Sequence, residues 1–311
     1  MKVEKSSADL ESEIIFRGLC AHCGTCGAFC PHIEYYEEGD DAGLPKVLDS
    51  CIENVGVCYN SCPRADFNVS DLEKAMYGKI REDEVLGVYL DTILVKSKSN
   101  IINALLETAF KHGMIDSTIV PEKKSKKPVN NVPTIISDAS KLPELSSRNL
   151  DYTGPLVTGV NKACEAGYKA VALVGNPCHQ QGAAKIKYSN FKTRIDALKL
   201  QIAVMCSAGG AKGCIYCVDY AGEFADISYS EMGQEKGQAA LIIRTETGKK
   251  LVDLALKDKA IKKVSDEPNL EKVKTLGAKK KKRNIKNILK INLGKIGYLD
   301  LTDKELGYFF S

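Results

Sequence analysis

Apolar residues recur at helical spacing at Ile101, Ile102, Leu105, Leu106, Ala109 and Phe110, and Gly113 follows where such a helix would stop. Strand-like runs come next, at 117–120 and 132–136. A helical pattern over 153–167 leads into an apolar strand at 170–175, then a helix at 181–188 and a strand at 200–205. A β-rich run at 239–245, a turn at Glu246-Thr247-Gly248 and a short helix at 251–256 complete the pattern. Strands alternating with helices of this length predict an α/β domain. Upstream, glycines and prolines break the sequence into short loops, and 64–87 reads as a connecting helix and linker. No fixed-period repeat is present.

A chain of 311 residues can bury a large core and is long enough for two domains. With 44% hydrophobic and 27% charged residues it has the make-up of an ordinary globular protein. No apolar stretch reaches the roughly 18 residues of a membrane helix, and the N-terminus lacks a signal-peptide core, so a cytoplasmic protein with no membrane span is expected. A formal charge of +4, from 44 basic and 40 acidic residues, calls for no nucleic-acid partner. Two lysine-rich runs, Lys123-Lys124-Ser125-Lys126-Lys127 and 279–283, are expected to be solvated surface. The alternative for them is docking to an acidic redox partner or holding an anionic cofactor.

Twelve cysteines change the picture, because in a reducing compartment thiols at short spacings are metal ligands more often than disulfides. Seven lie between Cys20 and Cys62, and five between Cys164 and Cys217. Cys20, Cys23, Cys26 and Cys30-Pro31 have the C-x2-C-x2-C-x3-C-P spacing with which ferredoxins hold a 4Fe-4S cubane. Zinc also takes four thiolates, but usually from two C-x2-C knuckles separated by a longer gap. A second half follows at Cys51, Cys58 and Cys62-Pro63, with Val55 near the place of a fourth cysteine. If the halves cross over, Cys20, Cys23, Cys26 and Cys62 hold one cubane. Cys30, Cys51 and Cys58 are then left for a 3Fe-4S cluster, an incomplete cubane or no metal at all. His22 and His32 read as neighbours that shield a cluster rather than as ligands. In the second group Cys178, Cys206, Cys214 and Cys217 each follow a predicted strand or sit in a tight loop, and a cluster or redox-active thiols are both open readings. Cys164 reads as a buried thiol on a helix.

Two stretches carry a resemblance. The segment from Val171 to Gly175-Asn176-Pro177-Cys178, and the segment from Cys214 through Cys217, Asp219, Glu223 and Ala225-Asp226-Ile227-Ser228, resemble the family formed by the beta subunits of coenzyme F420 hydrogenase and its dehydrogenase relatives. Gly237 and Ile242-Ile243-Arg244-Thr245 continue the likeness, which spans residues 85 to 260. It implies a mixed α/β flavin and iron–sulfur domain behind an N-terminal ferredoxin-like domain, divided as 1–80 and 81–265, with a basic C-terminal extension over 266–311. It implies that Cys178, Cys206, Cys214 and Cys217 ligate an inner 4Fe-4S cluster and that FAD is bound beside it. The implied activity is electron transfer between the deazaflavin coenzyme F420 and a redox partner protein or larger oxidoreductase complex. The alternative is a non-enzymatic relay without its own hydride-carrier site. No catalytic acid or base is inferred.

Two departures stand out. Only seven residues, Ser207 to Gly213, connect Cys206 to Cys214 where relatives place a long insertion, and Lys98-Ser99-Asn100 replace a family glycine pair. His179 stands where relatives carry glutamine and is expected to be an exposed loop residue. Asp219, Glu223 and Asp226 are expected to make structural hydrogen bonds.

Overall fold

The strand Val171–Gly175 is buried at every residue, the signature of a parallel strand covered on both faces. In the computed structural model, which describes residues 5–28, 30–37, 39–49, 56–123, 131–145, 154–188, 195–207, 210–291 and 307–308, it lies inside an eight-stranded sheet. Numbered in chain order, the sheet strands are β3 (Asp91–Lys96), β4 (Ser117–Lys123), β5 (Asn131–Ile136), β6 (Val171–Gly175), β7 (Leu198–Val204), β8 (Ile227–Ser230), β9 (Gln238–Ile243) and β10 (Lys262–Lys263). Their order is β10-β3-β9-β8-β7-β6-β4-β5. The four strands β8, β7, β6 and β4 run parallel, and β9, β3, β10 and β5 extend the two sides antiparallel.

Alternation along β6 sends its side chains to two cores. Val171 and Leu173 pack with Val160 and Ala163 of one helix and Ala183 and Ile186 of another. Ala172 and Val174 pack on the opposite face with Ile102, Leu105 and Leu106, and with Leu251, Val252 and Ala255. The pairing of β6 with β7 shifts between Val171 and Ala172, so that Leu198 and Leu200 face opposite cores although they are two residues apart.

Helices α1 (Ser7–Asp9), α2 (Thr25–Ala28), α3 (Val57–Ser61) and α4 (Val69–Tyr77) belong to the N-terminal part, with a π-helical turn over Leu10–Ile15 and a two-stranded sheet of β1 (Ile33–Tyr35) and β2 (Pro45–Val47). The sheet region carries α5 (Ile101–Lys111), α6 (Val157–Glu165), α7 (Pro177–Lys187) and α8 (Glu246–Lys257), and α9 (Glu271–Ile291) follows the last strand. The turn expected at Glu246-Thr247-Gly248 is instead the first turn of α8, because Thr245 Oγ1 accepts the N–H of Gly248 at 3.1 Å and caps the helix. Helix α7 begins at Pro177, four residues before the expected start, since Asn176 serves as N-cap and proline is pre-shaped for the first helical position.

The N-terminal lobe docks on the sheet region through backbone. Val157 N donates to Cys23 O at 3.1 Å, and Lys185 Nζ of α7 donates to Cys62 O at 2.8 Å. A Cβ at Gly213 would sit 2.3 Å from the carbonyl oxygens of both Leu19 and Cys20, so only glycine allows this approach. The expected solvated run at 279–283 is corrected at its centre: Lys280 and Lys281 of α9 are each 4% exposed. Of the other run only Lys123 is described. No helix among the described residues is long and apolar enough to cross a membrane.

Gly213→Ala is expected to cost about 1–3 kcal/mol through overpacking against fixed carbonyls. Thermal melts of the two proteins check this. An unchanged midpoint would show that the lobe and the sheet region are not held together at this point.

Candidate iron–sulfur centres

Three cysteines of the N-terminal loop and one from the end of α3 converge. Cys20, Cys23, Cys26 and Cys62 line one small cavity, walled by Leu10, Ile14, Tyr35 and Arg64. Backbone N–H groups point at the sulfurs, with His22 N 3.4 Å from Cys20 Sγ and Arg64 N 3.4 Å from Cys62 Sγ. Such dipoles stabilise thiolate and cluster charge. His22 takes a left-handed backbone (φ 56°), and its buried ring is pushed down to a pKa of about 4 by burial, so it is neutral. Burial pushes the Cys20 and Cys26 thiols up and Cys62 up to about 11, with neighbouring thiols adding to each shift. Four sulfurs around one apolar cavity have the donor chemistry that a cationic iron–sulfur core takes. These residues fit a cubane.

The second set is assembled by the parallel sheet. Ligand sites in such sheets form beyond the carboxyl ends of the strands, where successive loops meet. Cys178 follows β6 as the second residue of α7, where the helix dipole favours thiolate. Cys206 follows β7 by two residues, and Cys214 and Cys217 lie at the 3-10 turn Lys212–Tyr216 in the crossover to β8. Burial raises the Cys178 thiol well above its ordinary value, and Cys23, Cys217, Cys214 and Cys206 raise it further. The Cys217 thiol goes the other way. Burial opposes its ionisation, but Lys280 and Arg64 more than offset that and lower it.

The two sets share a wall: Cys23, Cys178 and Ala21 form one buried contact cluster. Arg64, 1% exposed, favours the thiolates of Cys20 and Cys62 on one side and of Cys214 and Cys217 on the other. Its Nη1 donates to Gln181 Oε1 of α7 at 3.4 Å. Sequence reasoning missed both Arg64 and Lys280. The only signal was the position of Arg64, directly after Cys62-Pro63.

The remaining candidates are placed as follows. Cys58 is buried in the core of the N-terminal lobe and Cys30 packs against it half-buried, while Cys51 and Val55 lie outside the described residues. Cys164, on α6, packs against the core between that helix and the sheet. His179 corrects its expectation: it is fully buried in the first turn of α7, where Nδ1 accepts the Asn176 N–H and Nε2 bonds Gly154 O, each at 2.9 Å. Asp219 accepts the N–H of Gly222 at 2.8 Å, Glu223 pairs with Arg81 and Lys281, and Asp226 accepts the N–H of Gln201 at 2.7 Å. Among the described residues no three His, Cys, Asp or Glu side chains close on a single metal ion.

At the family's glycine pair the chain is closed. Asn100 Oδ1 accepts the N–H groups of Ile102 and Asn103 at 2.9 and 3.2 Å, and its Nδ2 donates to Leu145 O. The N-terminus of α5 is satisfied by its own cap and does not fit a flavin phosphate.

Residues 207–269 match the family described as the C terminus of the coenzyme F420 hydrogenase/dehydrogenase beta subunit, and residues 13–63 match the 4Fe-4S dicluster domain. The chain is 25% identical over 342 residues to the coenzyme F420-dependent sulfite reductase of Methanocaldococcus jannaschii, covering 89% of this chain and 51% of that protein. It thus spans about half the length of that relative. It is 23% identical to a subunit of the F(420)H(2) dehydrogenase of Methanosarcina mazei, covering 90% of this chain and 94% of that one. The fold is similar to that of a chain in a structure of the F420-reducing NiFe hydrogenase complex from Methanosarcina barkeri. The TM-score there is 0.61 at 19% identity, covering 68% of this chain and 94% of the other.

Cys178→Ala is expected to remove about four irons per chain and leave the N-terminal centre in place. Because Cys23 and Cys178 lie in one buried cluster, the fully reduced native protein is expected to show spin coupling between two centres in electron paramagnetic resonance, and the variant to lose it. Unchanged iron would show that Cys178 is no ligand.

Proposed function

The chain is a relative of the coenzyme F420 hydrogenase/dehydrogenase beta subunits with a 4Fe-4S dicluster domain at its N-terminal end, and from that premise we propose that it is an iron–sulfur oxidoreductase subunit. It passes electrons between the reduced deazaflavin coenzyme F420 and a partner redox protein or complex. One observation carries this reading: two four-thiol sets meet at Cys23 and Cys178 with Arg64 between them. Cys20, Cys23, Cys26 and Cys62 would hold the first cubane, and Cys178, Cys206, Cys214 and Cys217 the second. When bound, such clusters supply one-electron carriers. The chain's own residues fix the sulfurs on two rigid elements, exclude water from between them and surround them with N–H dipoles and cations.

The deazaflavin exchanges hydride while clusters exchange single electrons, so a converter is required. Likeness to the family supports FAD in that role. The capped N-terminus of α5 and the short Ser207–Gly213 connection favour a second reading, in which this chain is a relay and the hydride carrier docks on a partner.

Protein purified without oxygen is expected to contain FAD and to bleach when the reduced coenzyme is added. Clusters without FAD, reducible by dithionite but not by the coenzyme, would establish the relay. Absence of iron and acid-labile sulfide would overturn both readings.

A further inference from the structure

Helix α9 lies outside both matched segments, 13–63 and 207–269, yet it grips the second thiol set. Lys280, Asn284 and Asn287 are spaced by four and three residues and so share one face of the helix. Lys280 Nζ donates to Cys206 O and Asp219 O, both at 2.7 Å. Asn284 Nδ2 donates to Cys214 O at 3.0 Å and Cys217 O at 2.6 Å, and Asn287 Nδ2 to Ile215 O at 3.0 Å. Side chains of one helix therefore hold the backbone of three cysteines in the set.

Two lysines are buried side by side here, and their surroundings differ. Lys281 has its counter-ion in Glu223, with Nζ 2.6 Å from Oε1. Lys280 instead donates to neutral carbonyls while lying among sulfurs. A buried ammonium is costly unless negative charge surrounds it. Its two carbonyl partners belong to Cys206 and to Asp219, two residues after Cys217, so the ammonium is held between two ligand-bearing segments. Asp219 is occupied by the N–H groups of Gly222 and Glu223.

We propose that Lys280 is a positioning residue that supplies the counter-charge of the centre held by Cys178, Cys206, Cys214 and Cys217, and thereby raises its reduction potential. This rests on the cluster reading of that set. Reduction adds one negative charge to the cluster, and a fixed cation at the backbone of its ligand Cys206 stabilises the reduced form more than the oxidised one. The N-terminal centre has Arg64 in common with the second, and its own lysine is Lys185, whose Nζ donates to Cys62 O at 2.8 Å, so Lys280 is expected to act on the second centre.

The test is a redox titration of the full chain, followed by paramagnetic resonance, with iron counted in each sample. Native protein without a second-domain cluster would sink the cluster reading itself before any variant is made. With that cluster present, Lys280→Met is expected to keep its iron and lower the midpoint potential of the second-domain centre alone. An unchanged potential, or an equal fall in both centres, overturns the proposal. Should Lys280→Met lose that iron, Lys280→Arg decides. Retained iron at a near-native potential supports the counter-charge role, while lost iron with native circular dichroism, or retained iron at a lowered potential, overturns it.

Discussion

Sulfur atoms gathered in a protein interior repel one another as thiolates, and the apolar medium strengthens that repulsion, so positive charge and oriented dipoles must be built around them. Eight thiols of this chain, Cys20, Cys23, Cys26, Cys62, Cys178, Cys206, Cys214 and Cys217, meet that constraint together. The answering groups come from every part of the sequence. Arg64 follows the last cysteine of the N-terminal lobe, Lys185 comes from α7 and Lys280 from α9, while the α7 N-terminus aims its dipole at Cys178. No single segment could assemble this set, which is why the N-terminal lobe, the sheet and the last helix are packed into one another.

The charges beyond the sulfurs are also spent on holding that packing. Arg81 bridges Glu73 of α4 and Glu223 of the crossover loop, at 2.7 Å to each, and Glu223 passes the contact to Lys281 of α9. Arg244 binds four places at once: Ser228 Oγ at 2.8 Å and the carbonyls of Leu86, Val88 and Ala221 at 2.8, 2.7 and 3.1 Å. Asp226 ties the start of β8 to β7 and to Thr245. The motif residues around Asp219 to Arg244 are thus fasteners of the crossover loop, which fits the expectation of structural hydrogen bonding for Asp219, Glu223 and Asp226.

Periodicity made the sheet legible. The runs at 117–120, 170–175 and 200–205 fall on the parallel strands β4, β6 and β7, because a parallel sheet buried on both faces writes itself as short apolar runs, and those at 132–136 and 239–245 fall mainly on the antiparallel strands β5 and β9. Helix starts were less legible, since α7 and α8 are set by the caps Asn176 and Thr245 and by a proline, which carry no periodic signal. The cysteine spacing pointed to Cys20, Cys23, Cys26 and Cys62, while Cys178, Cys206, Cys214 and Cys217 came together as one set only through the family resemblance. Their convergence was not legible, because it depends on which strand ends are neighbours, and β6 and β7 become neighbours only in the folded sheet. Burial of Lys280 and Lys281 was hidden for a related reason: in a run of lysines, composition points to solvent and only the partner surface shows which ones turn inward. His179 was misread because a polar residue after Pro-Cys looks like a loop, whereas here both ring nitrogens replace water with backbone partners.

The shortness of the Ser207–Gly213 connection takes on a meaning in this arrangement. Gly213 lies against the carbonyls of Leu19 and Cys20, and Lys212 lines a surface cleft together with Cys20 and His22. The ferredoxin-like loop occupies the space directly outside the second thiol set. Ser207, Gly210 and Lys212 of this connection are exposed, whereas at Gly213 even one added carbon meets backbone at 2.3 Å. The residue that ends the connection is therefore also the residue on which the ferredoxin-like loop rests, one step from the Ala21, Cys23 and Cys178 cluster that the two lobes build together.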